Sequence, residues 1–252
     1  MIEKNFDVDG PPDIEVRVES GRVEVHPSDN STVNVSVDTK TPDFIVEQRG
    51  NSILVSSEQT MSWLSRSSAY VVIETPEGSD LRISVASADI RADVPLEKVD
   101  LKTASGDMEL ESAETLEVKS ASGDLQIERV GRALSFSSAS GDLVVPGVVS
   151  GSIAISTASG DTIIEDADGN VAISTASGDT RLRRFTGRSA TFKSMSGSVD
   201  IGIPRRTEVS LDANLLSGKL RLPDPEPTQD APERQTSIRA KLVSGDLTIE
   251  RV

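Results

Sequence analysis

Thr157-Ala158-Ser159-Gly160-Asp161 and Thr175-Ala176-Ser177-Gly178-Asp179 are two copies of one phrase, and the spacing of that phrase decides the fold. Further copies stand at 103–107, 120–124 and 138–142, and a weakened one reads Ser194-Met195-Ser196-Gly197-Ser198. With Ser87 as a copy lacking glycine, the key serines fall at 87, 105, 122, 140, 159, 177 and 196, always 17 to 19 residues apart. A near-constant period of this size marks a stacked repeat architecture.

Each period reads as one coil. Apolar residues stand six and four positions before the serine (Val99 and Leu101, Leu116 and Val118, Leu134 and Phe136, Ile153 and Ile155, Val171 and Ile173). Others follow three and five positions after it, as in Met108 and Leu110, Leu125 and Ile127, and Leu143 and Val145. Spacing of two is the strand period, so each coil holds two short strands flanking a Ser-Gly-Asp corner. Eight positions after the serine, Ala113, Val130, Val148, Ala167 and Phe185 supply a third expected inward contact. Glycine suits such corners because it accepts positive φ without a Cβ clash.

The predicted fold is therefore an all-β, single-stranded β-solenoid with a period of about 18 residues, in one domain over 1–252. We expect irregular N-terminal coils over 14–85, regular repeats over 86–203, and C-terminal coils with a cap over 204–252. Val33, Val35 and Val37, then Phe44-Ile45-Val46 and Ile53-Leu54-Val55, are assigned to wider coils. A Pro- and acid-rich insertion runs from Pro223 to Glu233 and reads as a mobile loop. The last coil, from Ile238 to Ile249, has charged outward residues that suit a terminal cap.

Composition agrees with a narrow interior. Aromatic residues make up only 3% of the chain, little for a globular core, while Val, Ile, Leu, Ala and Thr fill a thin solenoid. The formal charge of −15, from 41 acids against 26 bases, argues against a nucleic-acid partner. No cysteine is present, so thiol chemistry is excluded. The start, Met1-Ile2-Glu3-Lys4-Asn5-Phe6, has no basic and apolar signal pattern, and no window is apolar enough for a transmembrane segment, so the expected location is cytoplasmic.

The Ser-Gly-Asp repeat followed by alternating apolar residues, the segment Val72-Ile73-Glu74-Thr75-Pro76-Glu77-Gly78-Ser79 after a serine-rich loop, and the closing Val243-Ser244-Gly245-Asp246-Leu247-Thr248-Ile249 resemble the bacterial toast-rack family, in its actinobacterial type. The resemblance runs from about Phe6 to the end. It implies a β-helical stack of unknown function that also carries an adhesin label, often associated with envelope stress or signalling. It supplies no catalytic residue.

One column of side chains and a lone histidine raise chemical alternatives. Asp89, Asp107, Asp124, Asp142, Asp161 and Asp179 recur at equivalent corner positions. Catalysis by carboxylate pairs needs unequal environments, which a ladder of equivalent turns does not offer. Stacked acids attract calcium, but calcium-loaded repeats use denser Gly and Asp spacing, so each Asp is expected to cap its own turn and no metal is assigned. His26, the only histidine, is far in sequence from any distinctive acid. We expect no enzyme and no cofactor.

The outward strand positions carry the sharper signal. They are charged at Asp100, Lys102, Glu117, Lys119 and Lys193, yet become Ser135, Ser137, Ala154, Ser156, Ala172 and Ser174 between, with apolar Val144 and Ile163 on the following strand. This small-residue, uncharged patch suggests a docking surface for an unknown protein partner or a second copy, unless a loop of the chain covers it. Met61, Trp63 and Leu64, in a serine-rich loop, are the second candidate contact, with a cap over the coils as the alternative. The expected function is a non-catalytic interaction scaffold. An adhesin or glycan-binding module is the alternative, and it calls for a signal peptide or an exposed aromatic platform.

Overall fold

The computed structural model describes residues 1–28, 31–40, 44–57, 68–223 and 232–252. They form two compact units, Met1–Leu125 and Gln126–Val252. Both are built only of strands, and no helix among the described residues is long and apolar enough to cross a membrane.

The first unit contains β1 (Ile2–Asp7), β2 (Asp13–Pro27), β3 (Thr32–Thr39), β4 (Phe44–Arg49), β5 (Ser52–Ser57), β6 (Ser68–Thr75), β7 (Ser79–Ser105) and β8 (Met108–Ser122). Alternation dictates the parallel register. Val16 lies opposite Ile83, Val23 opposite Ile90, and Leu101 opposite Val118, all buried. Equal spacing from the corner puts like on like, so one coil's aliphatic groups are covered by the next. Each fully buried Val, Leu or Ile contributes about 1.5–3 kcal/mol relative to an exposed one.

At its outer end, this unit departs from sequence order. Ile14 of β2 pairs with Ile53 of β5 along one edge and with Leu81 of β7 along the other, so the coil of β2 is inserted between β5–β6 and β7. Of the residues assigned to wider coils, Ile53-Leu54-Val55 join the parallel stack through β5, while those of β3 and β4 do something else. β3 runs antiparallel to β6, β1 antiparallel to β3, and β4 antiparallel to β5. Short reversals of direction let these strands cover the open edge of the outermost coil, an exposure that parallel coils cannot otherwise end.

The second unit contains β9 (Leu125–Ser140, from Gln126 onward), β10 (Leu143–Ser159), β11 (Thr162–Ser177), β12 (Thr180–Phe185), β13 (Ser189–Ser196), β14 (Val199–Ile203), β15 (Thr207–Ser217), β16 (Leu220–Arg221), β17 (Arg234–Ser244) and β18 (Leu247–Arg251). One interior column runs Ile155, Ile173, Phe192, Ala240, and a second runs Val145, Ile164, Leu182, Ile201, Ile249. All nine are buried.

Two expectations are corrected here. Val148 is 37% exposed, and Val149 (0%) takes the inward place. The register slips by one residue between Val145 and Val148, where this 19-residue coil absorbs its extra residue in a bulge at Pro146-Gly147. The last coil is also not terminal. β17 pairs with β13 on one edge and β15 on the other, while β18 pairs with β14 and β16, so the outermost coil is β15–β16.

The corners explain the repeated phrase. Gly178 has φ of 138°, and a Cβ there would collide with the carbonyl oxygen of Gly160 in the preceding coil. The aspartates act between coils rather than within their own turns, which corrects the expected capping. Asp161 N–H donates to Asp142 Oδ1 at 2.8 Å, and Asp179 N–H to Asp161 Oδ1 at 2.8 Å. In the first unit, Asp124 N–H reaches Asp107 Oδ1 at 3.2 Å. Meanwhile the Leu143 and Thr162 N–H groups donate to the carbonyls of Asp161 and Asp179, both at 2.9 Å. Side chain and backbone thus bind adjacent corners in both directions.

Candidate interaction surface

The uncharged column predicted from the sequence lies within the second unit. Ala154 is level with Ala172, Ser156 with Ser174, and Val144 with Ile163, because β10 and β11 are parallel and in register. Ser135 and Ser137 lie on β9, which pairs with β10. Ser135, Ala154, Ser156, Ala172 and Ser174 are exposed, whereas Ser137, Val144 and Ile163 are half-buried. The bulge turns Val148 outward on the same strand as Val144 and adds an apolar group that sequence periodicity placed inside.

Charge bounds this surface. Beyond Ala172 and Ser174 the same ladders continue to Thr191 and Lys193, then Arg239 and Lys241. Beyond Ile163 stands Arg181. The flanking charges are held in pairs: Arg181 with Asp200 at 3.3 Å, Arg183 with Glu165 at 3.1 Å, Arg184 with Asp166 at 3.0 Å. Exposed pairs of this kind add little stability, about 0–1 kcal/mol each. What the patch offers is methyl and hydroxyl groups on a flat β face, suited to van der Waals contact and neutral hydrogen bonds. It holds no titratable group. Met61, Trp63 and Leu64 lie outside the described residues.

Further polar networks lie on the surface of the first unit. His26 Nδ1 lies 2.8 Å from an Asp93 carboxylate oxygen, 67 residues away in sequence, and His26 Nε2 is 3.6 Å from Glu24. Sequence distance hid this pairing. The Tyr70 hydroxyl donates to Glu24, a bond that raises the phenol pKa because ionisation would break it and set two negative groups together. Lys119 donates to Glu117 at 2.6 Å, which holds the carboxyl below and the amine above their ordinary values. Among the described residues, no group of three or more His, Asp or Glu side chains is arranged to hold a metal ion.

Comparison with known proteins gives a family match over most of the chain. The model of the family described as Toastrack DUF4097 matches residues 12–250. Among curated proteins, none matches the sequence. Solved structures similar to this chain include a "putative adhesin" from Bacteroides fragilis NCTC 9343, at 14% identity and a TM-score of 0.49, covering 100% of this chain and 96% of that one. Another, from Parabacteroides merdae ATCC 43184, has 11% identity and a TM-score of 0.48, covering 100% and 95%.

Proposed function

Because the chain belongs to the Toastrack family, we propose that it works as a non-catalytic β-solenoid scaffold whose uncharged face on β9, β10 and β11 docks a protein partner. The observation that carries this reading is the pair of neutral outward ladders, Ala154 with Ala172 and Ser156 with Ser174, exposed and continued on neighbouring strands by charged Lys193, Arg239 and Lys241. Small side chains leave a flat backbone surface, and desolvating it costs less than desolvating paired ions. Signalling at the cell envelope, implied by the resemblance, belongs to the same proposal. Glycan binding is less favoured: of the aromatic residues described, Tyr70 is the one that is exposed, at 43%, and its hydroxyl is engaged by Glu24.

The test is Ala154→Glu with Ala172→Glu, two exposed positions where charge does not disturb the core. Wild-type and variant baits are compared in pull-downs from the source lysate and by light scattering. The reading predicts a partner held by the wild type and lost from the variant. Unchanged capture and unchanged assembly remove it.

A further inference from the structure

The far end of the second unit is built unlike the first. In the first unit, antiparallel β3 and β4 cover the edges of the outermost coil. In the second, β15 pairs with β17 along one edge and, among the described residues, with nothing along the other. Its inward-facing Val209, Leu211, Ala213 and Leu215 remain half-buried, where equivalent residues in interior coils are closed off. Of the nine large apolar side chains exposed among the described residues, six lie in this end region. Leu216 is 80% exposed and Met195 64%, and the ladders place Val243 between them on one ridge. An 11-residue edge with an apolar inner face is a template for another strand.

We propose that the occupant is a second copy of this chain, joined by antiparallel pairing of the two β15 edges about a two-fold axis at Leu211. Charge supports a like partner. The whole chain carries −15, yet residues 207–223 hold two acids, Glu208 and Asp212, against two bases, Lys219 and Arg221. The bases stand at and beyond the corner that follows β15, while of the two acids on the edge itself Asp212 is paired with Arg239 at 3.2 Å, so two acidic molecules meet where each presents little unpaired charge.

Register follows from the strand period. Opposed residues in an antiparallel pair share a face, so the axis passes through a residue and not between two. With Leu211 on it, Val209 meets Ala213 and Thr207 meets Leu215 on the inner face, while Ser210 meets Asp212 and Glu208 meets Asn214 on the outer. Moving the axis by one residue opposes Glu208 to Asp212, or Asp212 to itself. Like charges directly opposite are unfavourable. A two-fold interface also closes on itself, leaving no further edge to recruit a third chain.

Sedimentation across a concentration series tests the assembly, and the dimer has twice the 26.8 kDa mass of the chain. Ser210→Asp sets two acid pairs across the axis and weakens dimerisation by roughly 2- to 30-fold, whereas Ser210→Lys strengthens it over the same range. Ser210 is exposed, so both variants keep the fold. In this cysteine-free chain, Leu211→Cys gives a disulfide-linked dimer on oxidation. Asn214→Cys does not, because its two copies lie roughly 20 Å apart in this register. A monomer at all concentrations, a head-to-tail polymer, or a dimer indifferent to charge at 210 overturns the proposal. The Ala154 and Ala172 variants leave this dimer intact, which separates the two surfaces.

Discussion

At the scale of the residue, the repeated phrase is a set of contacts between neighbouring coils. The glycine was legible from the sequence as a corner, but its second duty was not, because no single coil shows how near the previous backbone lies. Gly178→Ala combines a φ of 138° with a Cβ driven into the Gly160 carbonyl. It is expected to cost about 1–3 kcal/mol from backbone strain alone, read as a lower denaturation midpoint. The aspartates were legible as turn residues, yet the bonding direction was hidden, since Asp142 and Asp161 are 19 residues apart and meet only when coils stack. Tyr70, the only tyrosine, offers a separate readout. Its phenol is raised above the ordinary value of about 10 by the Glu24 bond, so the stabilisation from that bond is complete below pH 10 and lost as pH rises through the folded-state value. Ultraviolet titration of the phenolate is expected to show a later midpoint in the wild type than in Glu24→Gln.

At the scale of the element, strand periodicity made the interior legible almost residue by residue, because burial on one face forces alternation. Ile155, Ile173 and Phe192 sit in one column, as spacing from the corner requires. Alternation fails where a coil gains a residue, for a slip of one exchanges the two faces. That is why Val148 and Val149 trade places. Val149→Ala is expected to destabilise by about 1–3 kcal/mol, and Val148→Ala by no more than about 0.5. Paired chemical denaturation of the two variants checks this, and equal losses would mean that the bulge is misplaced. The candidate patch was legible for the same reason as the core: outward positions are defined as soon as inward ones are. The antiparallel role of β3 and β4 was not, since an alternating run fits either direction equally well.

At the scale of the whole molecule, a strand's pattern says which face is buried but not which neighbour will cover it. The order of coils at the ends was therefore illegible. Removing residues 233–252 deletes the coil that lies between β13 and β15, so β15 and β16 lose their described pairing partners at once. Hydrogen exchange on the truncated chain is expected to show amides of 207–221 exchanging as in an unfolded segment, with β10 and β11 still protected. Protection of 207–221 would sink the assigned order. The same inversion bears on synthesis at the ribosome. Residues 207–221 emerge with no place to settle until 234–251 have followed and slid in beneath them, so synthesis of 234–251 decides when that end matures. A prematurely terminated product would display its unfinished state as a sticky, protease-sensitive flag, giving quality control something to read.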